Sequence, residues 1–131
     1  MATTLDEATR RILDGKNFAT VATLNPDGGP QTSAVWFKRE GDTVLFSTTA
    51  GRQKARNLAR DWRISLGIMD LENPYNFVEI RGRAELVEDP GKTLSKELSN
   101  KYLGEDPPVE SDEVIRLIVR VIPEKVNSFT V

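Results

Sequence analysis

Apolar and polar residues alternate along most of the chain, which predicts a protein built mainly from β-strands. The segments NFATVATL and QTSAVWFKRE flank the turn sequence NPDGG, and together they predict a β-hairpin. A second tight turn, EGD at residues 40–42, leads into a third strand, TVLFSTT. Gly82 interrupts a long later strand and predicts a bulge, or a point where another backbone or a ligand comes close. The later predicted strands are RISLGIMD, YNFVEIRGRAELVE and VIRLIVRVIP, followed by EKVNSFTV (124–131) as a short extended segment.

Three segments have helical rather than alternating spacing of their apolar residues. The first, TTLDEATRRIL, has Thr4 and Glu7 at the spacing of a capping box and is predicted to end near Gly15. The second is GRQKARNLARD, and the third is DPGKTLSKELSNKYLG. About six strands with three short helices predict a mainly β, α+β fold whose antiparallel sheet closes, or nearly closes, into a barrel. The length of 131 residues predicts a single domain, residues 1–131.

The composition excludes several kinds of chemistry. The chain contains no cysteine and no histidine, so disulfides, thiolate nucleophiles, a Ser-His-Asp triad and the usual zinc and haem sites are not expected. We therefore predict no metal site, and we expect any redox chemistry to come from a bound organic cofactor. The net charge of −2 argues against nucleic acid as a partner. Neither a membrane span nor a signal peptide is recognisable, which predicts a cytoplasmic protein.

One stretch, FSTTAGRQKARNLARD (46–61), concentrates positive charge in a chain that is slightly negative overall. Ser47, Thr48 and Thr49 end a predicted strand, and the cations follow in the first turns of the next helix. Cations there oppose the helix dipole, and backbone N–H groups beside hydroxyls are suited to hold phosphate. The stretch therefore predicts a site for a phosphate or a polycarboxylate. The alternative is an ordinary solvated helix face, where Arg and Lys are common.

Val35, Trp36 and Phe37 are consecutive apolar residues in a strand where a one-sided sheet would alternate. They predict a strand buried on both faces, one belonging to the barrel core and the other forming the floor of a slot for a planar ring. Pro74 and Tyr75 lie beside a turn at the entry to the long strand, where an aromatic residue could pack at a subunit interface. Because a chain this small would enclose a large cofactor with difficulty, a dimer with sites at its junction is the simplest arrangement.

Four stretches resemble the split β-barrel flavin and deazaflavin reductases related to pyridoxamine 5'-phosphate oxidase. They are ATVATLNPDGGPQTSAVWF, FSTTAGRQKARNLARD, VEIRGRAELVED and NKYLGED, and the resemblance spans nearly the whole chain. Within that family, KARNLARD is most similar to the branch that binds the deazaflavin coenzyme F420. The resemblance implies an antiparallel six-stranded Greek-key split β-barrel with short flanking helices.

The resemblance also implies a homodimer with two cofactor sites at the subunit interface. The phosphate and polyglutamate tail of the coenzyme would be held by Ser47, Thr48, Arg52, Lys54, Arg56 and Asn57. The ring would lie beside Val35, Trp36 and Phe37, and Pro74 and Tyr75 would reach in from the partner chain.

The implied reaction is hydride transfer from reduced coenzyme F420 to an unsaturated conjugated acceptor such as a quinone, a coumarin lactone or a tetrapyrrole. No protein nucleophile is needed, and no catalytic residue is assigned. Two alternatives stay open at this point. One is an oxidoreductase of the same fold that uses FMN, and the other is a non-catalytic protein that carries a flavin or deazaflavin.

Overall fold

The alternating segments form seven strands of one antiparallel sheet in a computed structural model of the protein, which describes residues 2–130. Residue 131, the last position of the predicted segment 124–131, lies outside the described residues, as does residue 1. The helices are α1 (Glu7–Asp14), α2 (Gln53–Arg60) and α3 (Thr93–Leu103). The strands are β1 (Ala19–Leu24), β2 (Pro30–Val35), β3 (Lys38–Glu40), β4 (Thr43–Thr49), β5 (Arg63–Met69), β6 (Phe77–Glu88) and β7 (Arg116–Phe129).

The prediction of one strand over residues 31–40, and with it the count of six, is wrong because the chain leaves the sheet at Trp36 and Phe37. The spatial order is β2-β1-β5-β6-β7-β4-β3, so β2 and β3 lie at opposite edges of the sheet. Only two residues connect these edges, which limits the distance between the Cα atoms of Val35 and Lys38 to about 11 Å. The sheet must therefore curl until its edges approach, although β2 and β3 do not pair.

The connectivity matches the predicted fold class. β5, β6 and β7 are consecutive neighbours, and β4 lies beside β7, which is a Greek-key order. The curled, incompletely closed sheet and the three short helices confirm a mainly β split barrel.

The core lies inside the curled sheet and beneath two of the helices. Alternate residues of the strands point inward, as the period of two requires. Leu13 of α1 and Leu58 of α2 close the barrel over these residues. The inward side chains include Val21, Val44, Phe46, Ile64, Leu66, Ile68, Val78, Ile80, Val119 and Val121.

The first helix is capped two residues later than the sequence predicts. Asp6 is its N-cap, and Asp6 Oδ1 accepts a hydrogen bond from the Thr9 N–H at 2.8 Å. The capping box of Thr4 and Glu7 is therefore wrong, because Asp6 offers the same kind of acceptor two residues later. The predicted end of the helix near Gly15 is confirmed, since the Gly15 N–H donates to the Ile12 carbonyl.

Gly82 marks a bulge between β6 and β7, as predicted. The register shifts between Arg81 and Gly82, and a Cβ on Gly82 would lie 2.0 Å from the carbonyl oxygen of Ile122. Pro123, which pairs opposite Gly82, has no N–H to donate, and a bulge is where a strand tolerates proline. β7 therefore runs unbroken through Pro123, where the sequence pattern predicted two separate segments.

Candidate functional site

A cavity of about 440 Å³ lies where the ends of β2 and β4 meet α3. α3 lies against the outer face of β4, because Leu94 and Leu98 pack on Leu45 in a small apolar cluster outside the barrel core. The irregular segment 104–115, which connects α3 to β7, contributes the remaining wall. The lining consists of residues 34–36, 47–49 and 107–110 with Arg52, Lys54, Ser95, Leu98 and Arg116.

The polar end of the cavity is the junction between β4 and α2. Arg52 is the N-cap of α2, and no side chain caps the first turn. The first turn also contains no acidic residue to neutralise the positive end of the helix dipole. Together with the unpaired N–H groups at a helix start, this makes the junction an environment that favours an anion.

Three cationic side chains, Arg52, Lys54 and Arg116, line the same cavity. Within residues 2–130, Arg116 pairs with Glu110, whereas no carboxylate pairs with Arg52 or Lys54. Partial burial lowers the pKa of Lys54, and the positive charge of Arg52 lowers it further. Positive charge is therefore in excess here, and a bound anion would offset it.

Two hydroxyls at the end of β4 are buried without a hydrogen-bond partner among the described residues, namely Ser47 Oγ and Thr48 Oγ1. Alternation along β4 places Ser47 on the outer face with Leu45, and Thr48 on the inner face with Phe46. An unpaired buried hydroxyl is costly, so it favours a partner. Ser47 Oγ, on the cavity side of the strand, is the better placed of the two to donate to a ligand oxygen.

The apolar side of the cavity is backed by a stack of three aromatic rings. Tyr102 of α3 is nearly parallel to Trp36, with ring centroids 5.3 Å apart and planes at 7°. Phe18 stacks on Tyr102 with a centroid distance of 5.8 Å. Because Trp36 lines the cavity, the stack fixes an aromatic surface in its wall. The sequence showed Tyr102 only as part of the apolar face of α3, and its link to Trp36 depends on tertiary packing.

The hydroxyl of Tyr102 ties this stack to the backbone. It donates to the Asn17 carbonyl and accepts the Phe37 N–H at 3.3 Å. Burial raises the pKa of Tyr102, so the hydroxyl stays protonated as a donor across the neutral range.

Removing that hydroxyl should therefore destabilise the fold. In Tyr102→Phe the Asn17 carbonyl and the Phe37 N–H lose a partner while the ring remains, so the free energy of unfolding should fall by about 1–2 kcal/mol in urea denaturation. Tyr75→Phe is the matched control, because Tyr75 is 78% exposed. The same loss in both variants would show that the hydroxyl of Tyr102 has no special role.

Six of the eleven predicted site residues line the cavity: Val35, Trp36, Ser47, Thr48, Arg52 and Lys54. The predicted anion site and the predicted apolar wall thus meet in one place. The other five side chains lie elsewhere in the single chain.

Arg56 and Asn57 hold α2 in position rather than line the cavity. Arg56 Nη1 donates to the Gly51 carbonyl at 2.7 Å, and its Nη2 donates to the side chain of Gln53. Asn57 is fully buried, and its Nδ2 donates to Thr23 Oγ1 and to Asn25 Oδ1, each at 3.0 Å. The two Asn57 bonds fasten the helix to the first hairpin, and the Arg56 bonds stay within the start of α2 and the turn before it. A direct role of Arg56 or Asn57 with a ligand stays a prediction of the resemblance.

Phe37 faces the core, not the cavity. It is fully buried, and Lys101 Nζ lies 4.8 Å from its ring centroid while donating to its carbonyl at 2.8 Å. Pro74 and Tyr75 lie in the exposed loop between β5 and β6 and do not line the cavity.

Sequence reasoning missed Arg116, Glu110 and the proline-containing wall. The pairing of β4 with β7 places Arg116 opposite Thr49, which brings it to the cavity. That register joins residues far apart in sequence, so no local pattern reveals it. The segment 104–115 was recognisable only as a polar loop.

The protein is a split β-barrel in which an anion-favouring junction lies beside an aromatic wall. The chain belongs to the pyridoxamine 5'-phosphate oxidase family, whose sequence profile matches residues 5–129. Among the described residues, no helix is both long and apolar enough to cross a membrane.

Three solved structures share this fold. An F420 reductase is 32% identical, with a TM-score of 0.83, and the match covers 94% of this chain and 98% of that protein. A conserved hypothetical protein from Mycobacterium tuberculosis is 24% identical, with a TM-score of 0.79 and coverage of 98% and 86%. A putative pyridoxamine 5'-phosphate oxidase from Listeria innocua is 19% identical, with a TM-score of 0.69 and coverage of 90% and 92%.

Proposed function

We propose that the protein is an oxidoreductase that uses coenzyme F420 and holds the coenzyme's phosphate and charged tail in the cavity beside β4 and α2. The observation that carries the proposal is the anion-favouring junction directly beside a fixed aromatic wall. The family supports a flavin or deazaflavin oxidoreductase, and the likeness to an F420 reductase favours the deazaflavin over FMN.

The side chains present fit such a ligand. Arg52 and Lys54 are cations without an acidic partner among residues 2–130. Ser47 Oγ is a buried hydroxyl without a hydrogen-bond partner among the same residues. We assign the phosphate and tail to these residues. The ring is assigned to the side of Val35 and Trp36, since an aromatic wall suits a flat conjugated system.

Reduced coenzyme F420 supplies a hydride to an unsaturated acceptor, for which we propose a conjugated molecule such as a quinone, a coumarin lactone or a tetrapyrrole. The chain's own task is to bind and orient. Cations at one end and Trp36 at the other fix two points of an elongated ligand, which lowers the entropic cost of reaching a reactive arrangement. Stacking on Tyr102 holds Trp36 in one orientation on its side of the cavity. Proton delivery is left to solvent or to a nearby hydroxyl.

We also propose that a second copy of the chain completes the site. Two large aromatic side chains that do not line the cavity are exposed in the single chain: Trp62 at 55% and Tyr75 at 78%. Exposed aromatic residues of this size are typical of interfaces. In this arrangement Pro74 and Tyr75 reach the ring from the partner chain, as the resemblance implies.

The test is a reductase assay. Purified protein is mixed with reduced coenzyme F420 and a soluble quinone, and the return of the absorbance of the oxidised coenzyme is followed. Turnover with reduced F420 and not with reduced FMN supports the proposal, whereas turnover with reduced FMN alone makes the protein an FMN-dependent enzyme. If the protein binds F420 but turns over none of the proposed classes of acceptor, it is a carrier of the coenzyme.

Lys54 should make the binding of the coenzyme depend on pH. A bound anion favours the protonated form of Lys54, whose pKa is already lowered by burial and by Arg52. Affinity should therefore be full while Lys54 is charged and should fall as pH rises through the lowered pKa, at a pH below the ordinary range of lysine. Fluorescence titrations across the alkaline range measure this, and Lys54→Arg should move the loss of affinity to higher pH. A pH profile identical in both proteins would exclude Lys54 as the titrating group.

A further inference from the structure

Glu110 is the only carboxylate among the described residues that line the cavity. Its two oxygens accept hydrogen bonds from Arg116, at 3.0 Å from Nε and 2.7 Å from Nη2. Lys92 Nζ lies 3.5 Å from Glu110 Oε1 on the other side. All three side chains are about three-quarters shielded from solvent, so this is a well-formed cluster rather than a surface pair.

The segment that carries Glu110 is held to α3 by contacts that do not involve Glu110. Ser99 Oγ donates to the Glu105 carbonyl at 2.6 Å, and Asn100 Nδ2 donates to Asp106 Oδ1 at 2.8 Å. Lys92 Nζ donates to the Ser111 carbonyl at 2.8 Å. The segment is thus attached to α3 and Lys92 on both sides of Glu110. These attachments keep the segment in place when the Glu110 carboxylate separates from Arg116.

We propose that Glu110 is an internal competitor for the anion site. Its carboxylate binds the guanidinium of Arg116, and an incoming phosphate or carboxylate binds Arg116 by displacing the Glu110 carboxylate. The bidentate grip that Arg116 gives Glu110 is the same grip that an arginine gives a phosphate. Of the three cations in the cavity, only Arg116 is matched by a carboxylate within residues 2–130. Glu110 therefore sets how strongly the cavity attracts negative charge. This inference deepens the proposed function and rests on it only in naming the coenzyme tail as the displacing anion.

The structural alternative makes the opposite prediction. If Glu110 serves to position Arg116 for the ligand, its removal leaves Arg116 less ordered and weakens anion binding. If Glu110 competes, its removal frees Arg116 and also removes a like charge from the cavity, so anion binding becomes stronger. The sign of the change distinguishes the two.

The experiment uses inorganic phosphate and the full chain. Backbone amide signals of Gly51 and Gln53, at the start of α2, are followed by NMR during phosphate titration of the wild type, Glu110→Gln and Glu113→Gln. Glu113 is the matched control, since it is an exposed carboxylate three residues further along the same segment. Glu110→Gln should bind phosphate about three- to tenfold more tightly, and Glu113→Gln should match the wild type. Glu110→Ala is the second variant, used if Glu110→Gln does not give the spectrum of a folded protein.

Unchanged or weaker phosphate binding in the Glu110 variant, or no saturable shift in any protein, overturns the inference. An equal gain in Glu113→Gln also overturns it, because the effect would then be one of net charge. A parallel titration with oxidised coenzyme F420 keeps this result separate from the proposed function. If the Glu110 variant gains phosphate affinity while no protein binds F420, the competitor role stands and the coenzyme assignment fails.

Discussion

Gly82→Ala is expected to lower the free energy of unfolding by about 3 kcal/mol or more, with a fall in Tm of roughly 10 °C. The new Cβ would lie 2.0 Å from the Ile122 carbonyl oxygen and 2.9 Å from the Ile122 carbonyl carbon. These are backbone atoms of β7, so they cannot rotate away as a side chain would. Relief requires β6 and β7 to separate at the bulge, which breaks the pairing that joins the two longest strands.

Gly51→Ala is the control for this prediction. A Cβ on Gly51 meets nothing within 4 Å, so the same chemical change should alter stability by less than about 1 kcal/mol. Thermal unfolding followed by circular dichroism compares the two variants directly. A Gly82 variant as stable as the Gly51 variant would show that the strands can separate at the bulge at little cost.

The double substitution Arg52→Ala/Lys54→Ala is expected to weaken binding of coenzyme F420 by about a hundredfold or more, since each lost charge-assisted contact is worth about 1.5–3 kcal/mol. The fold should be intact, because neither side chain has an ion-pair partner among the described residues. Fluorescence titration measures the affinity. The affinity of the wild type should also fall as salt rises, and that of the double variant should fall less.

Arg11→Ala/Lys16→Ala is the matched control for charge. It also removes one arginine and one lysine, but from exposed positions that do not line the cavity. Its affinity for the coenzyme should stay close to that of the wild type. A comparable loss in both double variants would mean that overall charge, not the junction before α2, attracts the coenzyme.

Local signals in the sequence predicted much of the fold. A lone glycine in a long alternating stretch was enough to predict the bulge at Gly82, because only a residue without a Cβ allows such a close backbone approach. The helix cap was predicted wrongly, since Thr4 and Asp6 both offer an acceptor near the start of α1 and only the folded helix selects Asp6. The break at Trp36 and Phe37 escaped prediction because the apolar run continues across it.

The candidate site was predictable to the extent that it is local. Ser47, Arg52 and Lys54 are close in sequence, and their types and order indicated an anion site. Arg116 joins them only through the pairing of β4 with β7, and Glu110 only through the path of the segment after α3. Such contacts depend on register and loop conformation, which a single sequence does not specify.

The most direct test of the central claim is a fluorescence titration of the purified protein with oxidised coenzyme F420, run in parallel with FMN and with the deazaflavin ring lacking its phosphate and tail. The account predicts tight binding of F420, weaker binding of FMN and a large loss of affinity when the phosphate and tail are absent. Equal affinity for F420 and the tail-less ring would contradict it, because Arg52, Lys54 and Ser47 at the cationic end of the cavity would then contribute nothing to binding.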